Sequence, residues 1–224
     1  MEQFNNVIQP LFEEVFRKDY KLKGLWKDHF FKNTNPVSLE LGCGKGEYTI
    51  GMAKIFPEKN FLGIDIKGAR IWKGAKEAFE NNISNAGFIR TRIEMIDSFF
   101  APGEIDEIWI TFPDPQIKKR RNKKRLTAAR FLNSYRKFLG QGGLVHLKTD
   151  STELWEYTSA LLKHNNIVPD ISTNDLYSSG LPDSLLGIKT HYEQIFLEEG
   201  KKITYIRFRL DTKQELSELP GENE

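Results

Sequence analysis

Short apolar runs alternate with amphipathic stretches along the chain from residue 36 onward. The apolar runs predict buried strands at 37–41, 61–66, 88–93, 107–112 and 143–149. Apolar positions at helical spacing predict helices at 47–56, 69–82, 128–139 and 153–163, the last one behind a Ser151/Thr152 cap. This alternation is typical of βα units, in which helices cover both faces of a mostly parallel sheet.

Two further strands are predicted late in the chain, at 166–172 and 203–210. A loop at 176–189 that contains Gly, Ser and Pro separates them, together with a short helix. A connection of this kind allows two strands to pair antiparallel at the edge of the sheet. The prediction is therefore a seven-stranded α/β sheet that is mostly parallel and has an antiparallel edge strand.

The two ends of the chain differ from the central part, 34–210. Residues 1–33 place cationic side chains among aromatic ones, at Arg17, Lys18, Lys21, Lys23, Lys27 and Lys32. This extension is either an arm that orders on nucleic acid or an amphipathic helix packed on the domain. The segment 211–224 is polar and mostly acidic, which predicts a disordered tail.

Composition narrows the class of protein. A chain of 224 residues with 39% hydrophobic content suits one α/β domain with a sizeable core. The single cysteine, Cys43, excludes an internal disulfide and a multi-cysteine zinc site, so we predict no metal and a reducing, cytoplasmic location. There is no signal-peptide pattern and no run of about 18 apolar residues, so we expect neither export nor a membrane span.

The segment LELGCGKGE, at 39–47, lies where the first strand turns into the first helix. Gly42, Gly44 and Gly46 would let the backbone approach a ligand closely. Their G-x-G-x-G spacing departs from the dinucleotide fingerprint, and the carboxylate of Glu40 would repel a pyrophosphate. The loop therefore favours a cofactor with a cationic aminoacyl and sulfonium end, such as S-adenosylmethionine.

Two more acids support a cofactor site beside this loop. Asp65 ends the second predicted strand, where a carboxylate can accept hydrogen bonds from both ribose hydroxyls. Glu94, at the end of the third strand, could accept one from an adenine amino group. The alternative is that both are helix caps or surface acids. Cys43 lies inside the cofactor loop, so a small residue that fits is favoured over a thiol nucleophile.

Asp114 is the candidate substrate-recognising acid. The carboxyl ends of parallel strands share one edge, so this edge should carry Glu40, Asp65, Glu94, Asp114 and Asp150. Pro113 and Pro115 hold Asp114 rigidly, and such a carboxylate can meet the N1 and N2 hydrogens of an unstacked guanine. The alternative is an acid that only forms ion pairs with the lysines that follow.

A dense cationic run follows Asp114. Seven of the eight residues from Lys118 to Arg125 are Lys or Arg, against a net charge of only +2 for the chain. This density favours nucleic-acid phosphates as the ligand, and the alternative is a solvated basic loop.

The segments LELGCGKGE, GIDIK, FPDPQIKKRRNKKRL, LKTD and THYEQIF together resemble the bacterial tRNA (guanine-N7)-methyltransferase family, over about 38–208. The most specific part is the Pro-Asp-Pro followed by the basic run. The resemblance implies a Rossmann-like class I methyltransferase fold that uses S-adenosylmethionine to methylate guanine 46 in the tRNA variable loop. It implies tRNA as the partner, no obligatory protein partner, and a monomer or homodimer.

The resemblance also assigns roles to residues of this chain. Glu40, Asp65, Glu94 and Asp114 match the cofactor-contacting acids of the family, and Asp114 also matches its catalytic position. The substrate-binding positions are matched by Lys118, Asp150, Thr190, His191, Tyr192 and Glu193. We expect the remaining cations to contact tRNA phosphates: Lys119, Arg120, Arg121, Lys123, Lys124 and Arg125. Gln116 stands where the family usually has tryptophan, and His191 where it has lysine.

Two other functions stay open at this point. One is methylation of an exocyclic amine on nucleic acid, which related Asn- or Asp-Pro-Pro motifs at this strand end perform. The other is a non-catalytic tRNA-binding subunit on the same fold, although the glycines together with Glu40, Asp65 and Asp114 argue for an active enzyme.

Overall fold

The computed structural model of the protein describes residues 4–181, 187–211 and 213–221. Its strands are β1 (Val7–Ile8), β2 (Val37–Leu41), β3 (Asn60–Asp65), β4 (Ala86–Arg90), β5 (Ile105–Thr111), β6 (Leu139–Thr149), β7 (Ile171–Thr173) and β8 (Thr204–Arg209). The described α-helices are α1 (Phe12–Val15), α2 (Glu47–Ile55), α3 (Gly68–Glu80), α4 (Ala129–Tyr135), α5 (Thr152–His164) and α6 (His191–Glu198). A π-helix at Trp26–Phe31 and 3₁₀ helices at Ile93–Ser98 and Lys119–Lys124 complete these elements.

The eight strands form one sheet in the order β1-β4-β3-β2-β5-β6-β8-β7. Every pair from β1 to β6 is parallel, whereas β8 is antiparallel to both β6 and β7. The predicted fold class, a mostly parallel α/β sheet with an antiparallel edge, is confirmed. The predicted count of seven strands is wrong because β1 has only two residues, too few for an alternating pattern to be visible.

The central strands are buried on both faces, which is why they read as apolar runs. All residues of β2 and β3 are buried. On β2, Val37, Leu39 and Leu41 join the core cluster that includes residues of α4 and α5. Since neighbouring side chains of a strand point to opposite faces, Ser38 and Glu40 point toward the other face, which α2 and α3 cover.

Several predicted boundaries differ from the structure. The helix predicted at 128–139 ends at Tyr135, because the chain extends at Leu139 to pair with Ile105. The strand predicted at 88–93 occupies 86–90, because its pairing with β3 begins at Ala86, before the first large apolar residue. The strand predicted at 166–172 is shorter in the structure, where β7 occupies Ile171–Thr173.

Both ends of the described chain pack on the domain. Trp26 is fully buried, and its Nε1 donates to the Phe99 carbonyl at 2.8 Å. Near the other end Leu216 is buried, and its carbonyl accepts from Asn133 Nδ2 at 2.8 Å. The contacts of Leu216 do not fit the disordered tail that the composition predicts. The domain boundaries at 33/34 and 210/211 stay predictions. In the described ranges, none of the helices is both long and apolar enough to cross a bilayer.

We expect the substitution Trp26→Ala to lower the free energy of unfolding by about 3–5 kcal/mol, because it opens a large buried cavity and orphans the Phe99 carbonyl. Urea unfolding measures this change. Phe12→Ala is the matched control, since the Phe12 ring is half exposed. A loss below about 1 kcal/mol for Trp26→Ala would mean that the first 33 residues are independent of the domain fold.

Candidate active site

The glycine loop connects β2 to α2. Gly42, Gly44 and Gly46 have φ angles of 76°, 55° and 75°, a region that side chains disfavour. A Cβ at position 46 would lie 2.6 Å from the Phe88 ring, so the close approach of loop and sheet requires glycine there. At position 44, by contrast, no described atom lies within 4 Å of where a Cβ would be. The loop therefore keeps one bare backbone face open to a ligand.

Asp65 ties this loop to the start of α3. Its Oδ2 accepts from the Gly44 amide at 3.0 Å, and its Oδ1 accepts from the Lys67 amide at 2.7 Å. Each carboxylate oxygen can accept a second hydrogen bond, so these contacts fix Asp65 without using all of its acceptor capacity. The predicted position at the end of the second βα strand is thus the one that the structure gives.

Glu40 is a buried acid beneath the glycine loop. Its Oε2 accepts from the Thr49 amide at 2.8 Å and from the Thr49 hydroxyl, and its Oε1 accepts from the Thr111 hydroxyl at 2.6 Å. Burial raises the pKa of Glu40 to about 7, although the hydrogen bonds from Thr111 and Thr49 oppose the shift. The two threonines were not predicted from the sequence, where nothing distinguishes them from other polar residues.

A cavity of about 340 Å³ opens beside the loop, and its lining includes Gly42, Asp65, Ile66, Ile93, Glu94, Gln116, Lys124, Leu126 and Phe131. Apolar walls with a few polar groups suit the binding of a flat heterocycle with a ribose. Glu94 does not end the third strand as predicted. It lies four residues after β4, in the first turn of the 3₁₀ helix, where Arg130 approaches it at 4.0 Å.

A second, smaller cavity of about 90 Å³ adjoins the same loop. Its lining brings Glu40 and Cys43 together with Phe112, Thr190 and His191. The backbone amide of His191 donates to Glu47 Oε2 at 2.8 Å, which attaches the start of α6 to the start of α2. Residues 42–47 and 190–192 are therefore joined, although almost 150 positions separate them in the chain.

The Pro-Asp-Pro segment leaves β5 at the same edge. Phe112 and Gln116 flank it with φ angles of 46° and 50°, which are unusual for residues with side chains. Asp114 is exposed, and its Oδ1 accepts from the Gln116 amide at 3.0 Å. The carboxylate is thus held by its own turn, and this one contact leaves acceptor capacity on both oxygens for a ligand.

The end of β6 supplies a buried ion pair. Lys148 Nζ lies 2.8 Å from Glu193 Oε1, and the Tyr177 hydroxyl donates to the same oxygen at 2.6 Å. Glu193 is fully buried, so in this structure it anchors α6 to the sheet. Burial lowers the pKa of Lys148, and the Glu193 carboxylate opposes that shift. A lysine inside an apolar strand is the sign of a buried ion pair that the sequence offers at this position. The pair of Lys148 with Glu193 was not predicted from it.

The remaining predicted substrate residues lie near this edge. Thr190 caps α6, its hydroxyl accepting from the Glu193 amide at 3.2 Å, and Tyr192 is half exposed. Asp150 follows β6 and lies 3.5 Å from Lys201 Nζ. Within the described ranges, no three His, Cys, Asp or Glu side chains form a cluster that could hold a metal ion.

The basic run forms the 3₁₀ helix at Lys119–Lys124, next to the Pro-Asp-Pro segment. The residues Lys118, Arg120, Arg121, Lys123 and Lys124 are exposed. Arg125 differs from them because it is buried, with its guanidinium carbon 4.2 Å from the centre of the Tyr157 ring. Its predicted contact with a tRNA phosphate does not fit this position.

Comparison with known proteins gives the family. A family model described as a putative methyltransferase matches residues 34–206. The tRNA (guanine-N(7)-)-methyltransferase of Porphyromonas gingivalis is 53% identical over 94% of this chain and 86% of that protein. The enzyme of the same name from Christiangramia forsetii is 52% identical over 93% of this chain and 94% of that protein.

The chain belongs to the tRNA (guanine-N(7)-)-methyltransferase family. The resemblance found in the sequence motifs and the predicted enzyme class are thereby confirmed. Solved structures agree on the fold of this methyltransferase: the 16S rRNA methyltransferase KamB covers 82% of the chain with a TM-score of 0.62 at 12% identity, and aligns over 92% of its own length. At that identity the likeness concerns the fold alone.

We expect Glu40 to make the stability of this methyltransferase fall as pH rises from about 5 to 8. A carboxyl with a folded-state pKa near 7 and an unfolded value of about 4.5 holds its proton longer in the folded state. The loss should reach on the order of 2–3 kcal/mol by pH 8. Urea unfolding at several pH values measures it, with Glu40→Gln as the variant in which this part of the pH dependence disappears. Parallel curves for the two proteins would contradict the assignment.

Proposed function

We propose that this methyltransferase transfers a methyl group from S-adenosylmethionine to N7 of guanine 46 in the variable loop of tRNA. One observation carries the proposal: an exposed, turn-held carboxylate, Asp114, follows β5 at the sheet edge where the glycine-loop cavities open, and a run of exposed cations follows it in the chain. In this arrangement the enzyme can present a base to the cofactor while the cations hold the phosphates of the RNA backbone nearby. The names of the relatives support tRNA as the substrate.

The cavities fit the proposed cofactor. Asp65 lines the larger one with acceptor capacity left for a ribose, and Ile66, Ile93 and Leu126 supply apolar walls for adenine. Glu40 lies under the smaller one, where a cationic aminoacyl end would favour its ionised form. When bound, S-adenosylmethionine supplies a methyl group on a positively charged sulfur that a nucleophile can displace.

The residues of the chain have little proton chemistry to perform. Guanine N7 carries an in-plane lone pair, so the base needs alignment but no deprotonation. In our proposal Asp114 accepts hydrogen bonds from the N1 and N2 groups of guanine, which orients N7 toward the cofactor site. The same carboxylate balances the positive charge that develops on the purine.

The THYE segment is proposed to close the guanine pocket from the opposite side. Thr190 and His191 line the small cavity next to Phe112, and Tyr192 offers an exposed ring that an unstacked base could contact. Glu193 would act from below, by holding α6 to Lys148. Asp150, near the end of β6, completes the proposed set.

The exposed cations of the basic run are proposed to bind the phosphates on either side of the flipped base. Lys118, Arg120, Arg121, Lys123 and Lys124 are all accessible for this role. We propose tRNA as the partner of the enzyme. Its state as a monomer or homodimer and its cytoplasmic location stay predictions.

We expect the product to be N7-methylguanosine at position 46 and nowhere else in an unmodified tRNA transcript. A transcript with 7-deazaguanosine at position 46 should bind with unchanged affinity but accept no methyl group, because the attacking nitrogen is replaced by carbon. Labelled S-adenosylmethionine and nucleoside mapping measure both results. Methylation of the deaza transcript would identify another acceptor atom, such as the exocyclic amine.

We expect Asp114→Asn to slow single-turnover methylation by roughly 10²–10³-fold, because the amide cannot accept from both guanine groups or balance the developing charge. Glu58→Gln is the control, since Glu58 is an exposed acid in the turn between α2 and β3, at the opposite sheet edge. Rapid-quench measurements at saturating tRNA and cofactor test this expectation. An unchanged rate for Asp114→Asn would remove Asp114 from the catalytic role.

A further inference from the structure

Arg125 contacts the backbone of the Pro-Asp-Pro turn. Its Nε donates to the Pro115 carbonyl at 3.4 Å, and Pro115 is the residue directly after Asp114. Only 7% of the residue is exposed, in contrast to its cationic neighbours. A buried guanidinium cannot reach a phosphate on the outside of the tRNA without leaving its site.

Tyr157, on α5, holds the guanidinium of Arg125 in place. The guanidinium carbon lies 4.2 Å from the ring centre, a cation–π distance that is favourable when water is excluded. The planar guanidinium can stack on a ring and donate to a carbonyl at the same time. A lysine ammonium lacks that shape.

The C-terminal segment holds Tyr157 in turn. The Tyr157 hydroxyl donates to Glu218 Oε1 at 2.8 Å, and Glu218 Oε2 accepts from the Ala129 amide at 3.1 Å. The segment itself is attached to α4 by a pair of hydrogen bonds between Asn133 and the backbone of Leu216, at 2.8 and 2.9 Å. Contacts therefore run without interruption from Glu218 through Tyr157 and Arg125 to the Pro-Asp-Pro turn.

We propose that Arg125 is a positioning residue for Asp114 and not a tRNA ligand, and that residues 213–221 complete this support through Glu218 and Tyr157. The proposal rests on the proposed function for the role of Asp114. In physical terms, the hydrogen bond from Arg125 fixes the position of the Pro115 carbonyl. The Asp114 carboxylate then keeps one orientation before tRNA arrives, which reduces the reorganisation that the reaction requires.

The test compares Arg125→Lys, which keeps the charge but not the planar fork, with Arg121→Ala, which removes an exposed cation of the basic run. Lys163→Ala is the charge control, because Lys163 is exposed in the last turn of α5, at the opposite sheet edge. Three quantities are measured for each full-length protein: the salt dependence of tRNA binding, the single-turnover rate at saturating tRNA, and hydrogen exchange of the peptide spanning 112–118.

For Arg125→Lys we expect a single-turnover rate reduced about tenfold or more, faster exchange at 112–118, and an unchanged slope of log Kd against log salt. For Arg121→Ala we expect the slope to fall by about one, the loss of one phosphate contact. An Arg125→Lys slope that falls in the same way would make Arg125 a phosphate ligand and overturn the proposal. So would an unchanged rate together with unchanged exchange.

The C-terminal part is tested by Tyr157→Phe and Glu218→Leu, which each remove the hydrogen bond between these two side chains and keep the ring beside Arg125. Each should accelerate exchange at 112–118 and lower the rate by a few-fold, and the double variant should be no worse than either one, because both remove the same contact. Unchanged exchange in both would overturn the role of residues 213–221. Because exchange requires no turnover, these results remain interpretable if the wild-type enzyme methylates a different position, which would contradict the proposed function alone.

Discussion

The site depends on the burial of one carboxyl group. Glu40 lies in the middle of the sheet, where the Thr49 and Thr111 hydroxyls and the Thr49 amide surround it. Thr49 belongs to α2, which follows the glycine loop, and Thr111 ends β5, which leads into the Pro-Asp-Pro turn. A single buried acid thus fixes the start of α2, behind the glycine loop, relative to the Pro-Asp-Pro turn. Removing the Glu40 carboxyl from water is unfavourable, and the hydrogen-bond donors to both of its oxygens offset that cost.

Much of this architecture could be predicted from the sequence, because local pattern carries it. The alternation of apolar runs and amphipathic stretches specifies βα units, and parallel strands bring their carboxyl ends to one edge. By that rule the sequence alone predicts that Glu40, Asp65 and Asp114 share one edge of the sheet. The tight turn after β2 was also predictable from its three glycines. The structure adds the reason for one of them, because a side chain at position 46 would meet the Phe88 ring. Where local pattern was short, as in β1, the prediction failed.

Other features could not be predicted because they depend on contacts between distant parts of the chain. In the sequence, Arg125 is one cation among seven, and only its packing against Tyr157 distinguishes it. The pairing of Lys148 with Glu193 joins residues 45 positions apart. The acidic composition after residue 210 predicts disorder, yet Leu216 is buried and belongs to the core cluster that includes residues of α4 and α5. Composition describes what a segment is made of, whereas its order depends on which surface it meets.

The antiparallel strand β8 has a consequence for how the protein is made. It lies between β6 and β7, and its partner β6 is synthesised about 60 residues earlier, with Leu144 pairing with Arg209 and Thr149 with Thr204. On the ribosome, β6 is therefore an open edge strand with a largely apolar sequence until residue 209 has left the exit tunnel. A chain that stops before residue 204 would leave that edge of β6 unpaired, so completion of β8 protects the nascent chain from aggregation through this strand.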